Sequence, residues 1–412
     1  MRIVIVSAVY YPMINGVAVF SHALAQGLAK RGHEVMVLTP SQNKKYHVEM
    51  ENGVKTVYLK SKDLKLYPDQ IHEVPENRKF IYKNGLKASI FPQRQVRQAL
   101  DEFAPDIVHV QFCDLIGMAV IKYAKKHQIP IVITEHSQSE VMTETMHVPK
   151  LLKRPANSML SGYFVSRLKK GNYATMPTQL AIDHLVGDKD LGVPIEAVSN
   201  GVDLSAFKPG EAKSSIYDKY SIPRNVPILL YVGRVDPEKK IGVVLEAFSD
   251  FLDKHKLDKL SKTLCLIVGD GVDKNRLEAL VPKLGISDSV KFLGRVMPPD
   301  LYEIYKLANV FVTASEIETQ GIVLIEAAAS GLPIIAVDAG AVAEVCKDGE
   351  NGYLLKPRDK EAMAEAMTDV LSDDKKRVRL GKKSVEIAMT HDFSHTLDKF
   401  LEIYQKAIKG VF

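Results

Sequence analysis

The sequence predicts an α/β protein made of two doubly wound domains. Short apolar runs alternate with longer amphipathic segments throughout the 412 residues. Most of these runs are rich in Val and Ile and are apolar at successive positions, as in parallel strands that helices cover on both faces. Ten such runs are too many for one compact sheet of this kind, and a fresh buried strand begins near Pro227. We therefore expect strands and helices to alternate around two separate sheets.

The predicted elements follow in chain order from these patterns. Apolar runs predict strands at residues 3–7, 35–39, 107–110, 129–134 and 173–176, and then at 228–232, 264–268, 290–293, 310–314 and 334–337. Helical spacing of apolar residues predicts helices at 17–31, 242–255, 301–308 and 394–408. Ser394 is the expected N-cap of the last helix, because a hydroxyl can accept a hydrogen bond from a free amide.

The domain boundary is predicted where this periodicity lapses. Residues 200–225 are rich in Gly, Asp, Ser, Pro and Lys. We expect one domain at 1–205 and a second at 206–393, with the terminal segment 394–412 packed back on the first. Ligands of open α/β sheets collect at the carboxyl ends of the strands, so two such edges facing across a cleft form one deep site.

Composition and charge exclude several classes of protein. The chain is 46% hydrophobic and 25% charged, which excludes a disordered, fibrous or disulfide-stapled protein. The net charge of +5 is too small to indicate nucleic acid, but the basic surplus lies in residues 1–220, the expected face toward any anionic surface. Three scattered cysteines, Cys113, Cys265 and Cys346, predict buried thiols in a reducing compartment. We see neither a membrane-spanning apolar stretch nor a signal peptide, so we expect a cytoplasmic protein.

The most informative stretch joins the predicted strand at 310–314 to a helix that starts near Gly321. Free amides at a helix N-terminus attract anions, and a glycine lets a phosphate approach the backbone closely. Glu318 lies in the loop, and Glu326 lies a turn and a half into the helix. Amides suit a diphosphate and carboxylates suit hydroxyl groups, so this set fits a sugar nucleotide. Alternatively, Glu318 only complements the helix dipole and Glu326 is solvated, although a carboxylate in so apolar a helix needs a partner.

Two further turns follow predicted strands of the same domain. Gly233 and Arg234 come directly after a strand, and Lys239 follows Arg234 by five residues. A guanidinium binds phosphate bidentately and an ammonium acts as a point charge, so both fit the same diphosphate. The alternative is a charged surface turn. Gly269-Asp270-Gly271 is a third turn on this edge, of a common type that adds little by itself.

Together these residues resemble the retaining glycosyltransferases of the GT-B fold, of the glycosyltransferase family 4 type, whose two Rossmann-like domains face each other across a cleft. The likeness covers nearly the whole chain. It rests on the pair Glu318 and Glu326, Gly233-Arg234 with Lys239, Gly269-Asp270-Gly271, Ser199-Asn200-Gly201-Val202-Asp203 with Phe207, and Tyr11-Pro12 with Asn15-Gly16. The glycine loop of the family usually carries two adjacent glycines, whereas Val17 follows Gly16 here.

The resemblance implies a role for each site residue. Glu326 holds the ribose hydroxyls, Glu318 holds the sugar hydroxyls, and Arg234 and Lys239 clamp the diphosphate. His136, after the predicted strand 129–134, matches a family histidine near the donor sugar, and the alternative is a purely structural histidine. The implied catalytic residues are His136, Glu318, Arg234 and Lys239. The remaining implied donor contacts are Gly16, Gly269, Arg295, Val296, Gln320, Gly321 and Ile322.

The implied reaction retains the configuration at the anomeric carbon. No residue stands out as a covalent nucleophile, so we favour a front-face displacement in which the leaving phosphate helps to deprotonate the acceptor hydroxyl. Catalysis then depends on positioning and electrostatics. Asp188-Lys189-Asp190 spells the DxD signature of metal-dependent transferases, but it lies in a polar stretch and we interpret it as a solvated turn. We expect neither a metal nor another cofactor.

The composition of residues 150–170 predicts where the protein binds a membrane and its acceptor. Six basic residues and no acidic residue lie there, interleaved with apolar and aromatic ones. An anionic bilayer attracts such a helix by roughly 1 kcal/mol per Lys or Arg. The alternative is an ordinary helix with a solvated basic face. The residues expected at the membrane or acceptor are Lys150, Lys153, Arg154, Tyr163, Phe164, Arg167, Lys169 and Lys170. Residues 141–149 are expected to form a flexible loop beside the cleft.

The layout of residues 136–170 and the string Glu318-Thr319-Gln320-Gly321 are similar to those of membrane-associated diacylglycerol glucosyltransferases. We therefore expect transfer of a hexose, glucose from UDP-glucose, to a membrane lipid such as diacylglycerol. The enzyme is expected to be peripheral on the inner face of the plasma membrane. Three alternatives stay open: a transferase that uses GDP-mannose or another nucleotide sugar on a soluble or polysaccharide acceptor, a sugar-nucleotide epimerase, and an inactive nucleotide-sugar-binding protein.

Overall fold

The chain divides into two compact units. A computed structural model describes residues 1–11, 13, 15–63, 87–111, 114–145 and 148–411. Unit 1 comprises Met1–Asn200 and His395–Phe412, and unit 2 comprises Gly201–Ser394. The sequence placed the boundaries at 205/206 and 393/394, a few residues from these positions.

Unit 1 is built on an eight-stranded sheet. Its strands are Arg2–Val6 (β1), Glu34–Pro40 (β2), His47–Glu51 (β3), Val54–Leu59 (β4), Ile107–Val110 (β7), Ile131–Thr134 (β8), Tyr173–Met176 (β9) and Ile195–Ala197 (β10), and Lys62–Asp63 (β5) pairs separately with Lys87–Ala88 (β6). The order in the sheet is β10-β9-β8-β7-β1-β2-β4-β3. All neighbouring strands are parallel except β3, which runs antiparallel to β4.

The helices of unit 1 cover this sheet with their apolar faces. They are Gly16–Lys30 (α1), Gln93–Phe103 (α2), Leu115–Lys126 (α3), Ser139–Thr145 (α4), Lys150–Leu168 (α5) and Gln179–Leu185 (α6). Asn15 begins α1, because its side-chain oxygen accepts a hydrogen bond from the Ala18 amide at 2.9 Å. Asp114 caps α3 in the same way through the amide of Gly117.

Unit 2 contains a six-stranded parallel sheet. Its strands are Ile228–Val232 (β11), Leu264–Val268 (β12), Val290–Gly294 (β13), Val310–Val312 (β14), Ile334–Val337 (β15) and Gly352–Leu355 (β16). Their order in the sheet is β13-β12-β11-β14-β15-β16. Its helices are Ser214–Lys219 (α7), Ile241–Lys254 (α8), Lys274–Leu280 (α9), Asp300–Leu307 (α10), Ile322–Ala329 (α11), Val342–Val345 (α12), Lys360–Ser372 (α13) and Asp374–Met389 (α14).

Both faces of the unit 2 sheet are buried. Leu230 contributes to one apolar cluster, while its neighbours Leu229 and Tyr231 contribute to the cluster on the opposite face. Successive side chains of a strand point to opposite faces, so a strand between two helical layers must be apolar throughout. This explains why continuous apolar runs predicted these strands well.

The last helix, Phe393–Lys409 (α15), begins one residue earlier than predicted and belongs mostly to unit 1. Its hydroxyl-capping prediction is wrong: the Asp392 carboxylate accepts the amide hydrogen of Ser394 at 2.7 Å, so Asp392 provides the cap. Within unit 1, Thr396 donates a hydrogen bond to the Ser199 carbonyl at 2.8 Å. Phe400 and Tyr404 of this helix are fully buried.

The α/β prediction is confirmed, and most of the missed strands lie at or near sheet edges. The predicted strands at 107–110, 173–176, 228–232, 264–268 and 334–337 match residue for residue. The strands that the sequence missed in the two large sheets, β3, β4, β10 and β16, lie at a sheet edge or next to an edge strand. Polar residues interrupt the apolar run in β3, β4 and β10. The missed strands β5 and β6 form a separate pair of two residues each. The flexible loop expected at 141–149 is wrong in part, because α4 extends to Thr145, and residues 146 and 147 lie outside the described ranges.

Two further predictions concern the cysteines and membrane-spanning helices. Cys265 and Cys346 are buried free thiols, whereas Cys113 lies outside the described residues. Within the ranges described, none of the helices combines the length and the apolar character needed to cross a bilayer.

Candidate active site

The order of the unit 2 sheet reverses between β11 and β14. Strands β12 and β13 lie to one side of β11, and β14 to β16 lie to the other. In doubly wound sheets, ligands bind outside the carboxyl ends of the strands at such a reversal. The loops that leave this point are residues 233–240 and 313–321, so most of the predicted donor residues of this unit share one edge.

Gly321 opens α11 in a conformation that leaves its first amides free. Its φ of 73° is in the left-handed region, and it provides no side chain to cap the helix. The Leu324 and Ile325 amides bond the Gly321 carbonyl, at 2.8 and 3.4 Å. Among the described residues, none accepts a hydrogen bond from the amides of Ile322 and Val323. The start of α11 is therefore able to bind an anion.

Lys239 places an ammonium group beside this helix start. It ends a short 3₁₀ turn, Pro237–Lys239. Its Nζ donates to Glu318 Oε1 at 2.6 Å and lies 3.4 Å from Ser315 Oγ. The Lys239 and Glu318 side chains are each only 15% exposed, so the pair is shielded from water. The structure thus brings together the two loops that the sequence assigned to one ligand.

The loop that carries Glu318 is fixed by a second turn, after β15. The Glu318 carbonyl accepts the Ala341 amide at 3.0 Å. A Cβ on Gly340 would lie 2.5 Å from that carbonyl oxygen, so a larger residue does not fit. Arg358 holds the same loop from outside through Glu316, at 2.7 Å. Contacts from two neighbouring segments therefore fix the backbone at Glu318.

Arg234 is held by two carboxylates of its own turn. Its guanidinium is ion-paired with Asp236 and lies 2.5 Å from Glu238 Oε1. Burial raises the pKa of Asp236, while the Arg234 charge opposes that rise. The Asp236 carboxylate also accepts the Val272 amide at 3.1 Å, which ties this turn to the segment that follows β12.

Glycines allow these two turns to touch. A Cβ on Gly269, whose φ is 136°, would lie 1.8 Å from the Gly233 carbonyl oxygen. A Cβ on Gly271 would lie 2.3 Å from the Val235 carbonyl oxygen. The buried Tyr231 hydroxyl donates to the Arg234 carbonyl at 2.8 Å and braces the turn from below. Gly269 is therefore a packing residue, and its predicted donor contact stays a prediction.

Glu326 lies in an apolar helix and has a hydrogen-bond partner there. The fully buried Tyr305 donates its hydroxyl to Glu326 Oε2 at 2.7 Å, and the other carboxylate oxygen has no hydrogen bond among the described residues. Burial raises the pKa of Glu326 to about 7, against which the Tyr305 hydrogen bond acts. Sequence reasoning did not find Tyr305, although its position on the predicted helix 301–308 was a usable signal.

The remaining predicted donor residues of unit 2 lie at the same edge of the sheet, beyond the carboxyl ends of its strands. Arg295 and Val296 directly follow β13, and Val296 is buried. Gln320, just before Gly321, is 4% exposed. Their positions fit the prediction, and their contacts with a ligand stay a prediction.

Unit 1 has its own reversal point, between β1 and β7. His136 follows β8 and is 8% exposed. Its Nε2 lies 2.7 Å from Oε1 of Gln111, which follows β7. Burial lowers the pKa of His136 to about 3, so the ring is neutral near pH 7. Gly16 begins α1 after β1, and Pro12 of the same loop lies outside the described residues.

Helix α5 presents a mixed surface, and one predicted membrane residue is wrong. Phe164 is 1% exposed and packs in the core of unit 1, because it lies on the face opposite the exposed leucines. Leu151, Leu152, Met159 and Tyr163 are exposed by 94%, 57%, 71% and 42%. These positions fall on one side of the helix, since residues three and four apart share a face.

The predicted basic residues of this region have different surroundings. Lys150 and Arg154 are exposed, and Lys153 and Lys170 are half-buried. The Arg167 guanidinium lies 4.3 Å from the Tyr163 ring centroid. Lys169 donates to the Asp190 carbonyl at 2.9 Å, which places it against the turn after α6. The basic face is therefore concentrated at the amino-terminal end of α5.

The DxD triplet lies in an exposed turn after α6. Asp190 uses its carboxylate to accept the Gly192 amide at 2.8 Å. In the parts of the chain described here, no three His, Cys, Asp or Glu side chains come together in an arrangement able to hold a metal ion. The interpretation of the triplet as a turn agrees with its position, and metal independence stays a prediction.

Comparison with known proteins identifies the chain. Residues 14–206 match the model described as Glycosyltransferase Family 4, and residues 213–386 match Glycosyl transferases group 1. The chain is 31% identical over 360 residues to an alpha-monoglucosyldiacylglycerol synthase of Acholeplasma laidlawii, covering 85% of this chain and 84% of that protein. It is 30% identical over 345 residues to the enzyme of the same name from Streptococcus pneumoniae, covering 82% and 71%.

The fold has close parallels among solved structures. Sucrose-phosphate synthase from Thermosynechococcus elongatus superposes with a TM-score of 0.76 at 21% identity, over 99% of both chains. The two Rossmann-like units, the matching family models and the two named relatives together define a nucleotide-sugar-dependent hexosyltransferase of the GT-B type. The chain belongs to glycosyltransferase family 4, with a second half of the group 1 type.

Proposed function

We propose that the protein transfers glucose from UDP-glucose to diacylglycerol at the inner surface of the plasma membrane, with retention at the anomeric carbon. The observation that carries this proposal is the exposed apolar side of α5 with basic residues beside it, in a chain whose relatives are named for synthesis of α-monoglucosyldiacylglycerol. A hydrophobic helix side next to cations suits the boundary between lipid headgroups and acyl chains.

The donor binds along the edge where β11 and β14 end. We assign the diphosphate to the free amides at the start of α11 and to the Lys239 ammonium, which is already 2.6 Å from Glu318. Glu318 then accepts hydrogen bonds from the sugar, and the unbonded oxygen of Glu326 accepts them from the ribose. Arg234 extends the cationic surface while Asp236 and Glu238 hold its guanidinium in place.

The chemistry we propose needs no enzyme nucleophile. The acceptor oxygen forms a bond to the anomeric carbon on the face from which the phosphate departs, and the acceptor proton passes to the leaving phosphate oxygen. UDP is the leaving group. Fixed amides and an ammonium stabilise the negative charge that develops on it, and preorganised donors of this kind provide much of the rate enhancement of many enzymes. His136 hydrogen-bonds a substrate hydroxyl and is neutral at working pH because burial lowers its pKa to about 3.

The acceptor reaches the enzyme from a membrane. Leu151 and Met159, at 94% and 71% exposure, enter the lipid boundary, while Lys150 and Arg154 contact anionic headgroups. Each cation near such a surface contributes roughly 1 kcal/mol. Diacylglycerol has a single free hydroxyl and does not leave the bilayer, so an enzyme that glycosylates it must bind there.

The decisive experiment supplies radiolabelled nucleotide sugars to the purified protein with vesicles of anionic phospholipid and diacylglycerol. We expect UDP-glucose to yield an α-glucosyl lipid and free UDP in equal amounts. Transfer from GDP-mannose instead of UDP-glucose contradicts the proposed donor. Transfer only to soluble acceptors contradicts the proposed lipid acceptor. Release of free nucleotide without a glycosylated product indicates an epimerase, and binding without any turnover indicates an inactive sugar-nucleotide-binding protein.

A charge-matched pair of variants tests the membrane contact. We expect Lys150→Gln with Arg154→Gln to weaken sedimentation with anionic vesicles several-fold. Lys375→Gln with Arg379→Gln removes the same charge from an exposed part of α14 and should have little effect. Equal weakening by both pairs contradicts a specific role for α5.

A further inference from the structure

A chain of buried polar side chains lies behind His136 in unit 1. Gln111 accepts a hydrogen bond from His136 through Oε1, at 2.7 Å. The Gln111 amide nitrogen lies 3.2 and 3.0 Å from the two ring nitrogens of His109. His109 lies 2.6 Å from the Tyr404 hydroxyl through Nδ1 and 2.6 Å from the Thr134 hydroxyl through Nε2. Gln111, His109 and Tyr404 are fully buried.

Aromatic rings pack against His136 and His109, the two histidines of this polar chain. The Phe20 ring from α1 lies 5.3 Å from the His136 ring, and Phe400 from α15 lies 6.0 Å from Phe20. Phe400 also packs 4.9 Å from His109. Close-packed interiors leave such rings little freedom. The terminal helix of the chain thus supports His136 through both packing and the polar chain that ends at Tyr404.

This arrangement determines which nitrogen of His136 carries the proton. A neutral imidazole has one N–H and one acceptor nitrogen, and an amide oxygen can only accept. The Nε2 that faces Gln111 Oε1 is therefore the donor, and Nδ1 is the acceptor. Among the described residues, none hydrogen-bonds Nδ1 of His136, so its lone pair is available to a ligand.

We propose that Gln111 is a positioning residue that holds His136 as the Nε2–H tautomer, so that Nδ1 accepts a hydrogen bond from a substrate hydroxyl. His109 and Tyr404 hold Gln111 in turn. The inference deepens the proposed function and rests on it only for the identity of the hydroxyl. It makes the carboxyl-terminal helix a support for the substrate-binding edge of unit 1.

The first test measures the tautomer directly and needs no activity. We expect ¹⁵N NMR of the ring nitrogens to show His136 as the Nε2–H form in the full-length protein. Gln111→Met keeps the side-chain length but removes the acceptor, and should populate the Nδ1–H form. Gln111→Glu keeps an acceptor and should keep the proton on Nε2. A wild-type Nδ1–H form, or no change in Gln111→Met, overturns the proposal.

The second test separates positioning from a structural role. We expect Gln111→Met to lower kcat by about tenfold or more with little change in KM for UDP-glucose, since misplacing a reacting-site group by 1 Å can cost about 100-fold. Gln111→Glu should restore most of the rate. In a His136→Ala background, Gln111→Met should cost nothing further, whereas an equal loss there overturns the proposal. If the wild type turns over no nucleotide sugar, the proposed function fails while the NMR result still decides the role of Gln111.

Discussion

Glu326 is half-buried in an apolar helix, and its carboxylate accepts a hydrogen bond from a single phenol, that of Tyr305. Burial raises its pKa to about 7, and the Tyr305 hydrogen bond works against that rise. An ionised carboxylate only accepts hydrogen bonds, whereas a protonated carboxyl also presents a donor. Ribose binding through Glu326 should therefore respond to pH in the neutral range.

We expect UDP-glucose to bind more weakly as pH falls through about 7, because Glu326 takes up a proton. Tyr305→Phe removes the bond that lowers this pKa, so the midpoint should move to higher pH. Titration calorimetry on both sides of neutrality measures the shift. Tyr302→Phe is the control on the same helix, because Tyr302 packs on Phe207 rather than bonding Glu326. Affinity that does not depend on pH contradicts the ribose assignment.

Lys239 contacts Glu318, which precedes the start of α11, at 2.6 Å. Lys239→Gln should lower kcat with UDP-glucose by roughly 100- to 1,000-fold, as loss of a preorganised charge-stabilising donor does elsewhere. Lys240→Gln alters the adjacent residue, which has a φ of 52° and lies beside the same turn, and should leave kcat nearly unchanged. Steady-state rates with saturating acceptor compare the two, and equal losses contradict a specific role of Lys239.

At the scale of single elements, the contact between the turns after β11 and β12 depends on glycine for two reasons. Gly269 has a φ of 136°, and a Cβ there would overlap the Gly233 carbonyl. Gly285 has a φ of 70° with open space around it, so a substitution there is strained without a clash. The two positions separate the cost of backbone strain from the cost of steric overlap.

Gly269→Ala should lower the melting temperature clearly more than Gly285→Ala does. Backbone strain costs about 1–3 kcal/mol at either site, and the overlap at residue 269 adds to it. Thermal unfolding followed by circular dichroism measures both, and weakened UDP-glucose binding should accompany the first change alone. Similar melting temperatures for the two variants contradict close packing of the turns.

Helix α5 is a second element whose surface can be tested. Leu151→Glu with Met159→Glu should abolish most binding to vesicles, because both side chains are exposed on one side of the helix. Met50→Glu with Leu257→Glu introduces the same charge at positions exposed by 68% and 102%, and should bind vesicles nearly as well as the wild type. Flotation with anionic vesicles gives the bound fraction. Equal loss of vesicle binding in the control pair would mean that added negative charge alone weakens binding, and it would contradict a specific role of α5.

At the level of the whole molecule, the proposed reaction develops negative charge on the leaving diphosphate, which we assign to an edge that carries two cations. Lys239 and Arg234 lie on the donor edge of unit 2, and the DxD triplet lies on an exposed turn of unit 1. We propose that transfer is independent of a metal ion for this reason.

Chelation tests this proposal on the intact protein. Activity with UDP-glucose should be unchanged after dialysis against EDTA, and added Mg²⁺ or Mn²⁺ should not raise it. Vesicle binding provides an internal control for salt effects, because surface attraction falls as the Debye length shortens. An activity that is lost with EDTA and restored by a divalent cation contradicts metal-independent transfer.

Sequence patterns were sufficient to predict most strands of the two sheets and the loops that carry the proposed donor residues. Continuous apolar runs indicate strands buried on both faces, and the residues that follow each run lie at one edge of a parallel sheet. Lys239 and Glu318 were therefore expected on one edge, although 79 residues separate them.

The side chains that support that site could be found only from the folded chain. Tyr305 reaches Glu326, and Tyr404 reaches His109 across 295 residues, because distant elements pack together. Phe164 belongs to the core rather than to the membrane surface, since helix packing determines which side of α5 is buried. Periodicity is a local property of the chain, whereas these contacts depend on how the helices lie against the sheets.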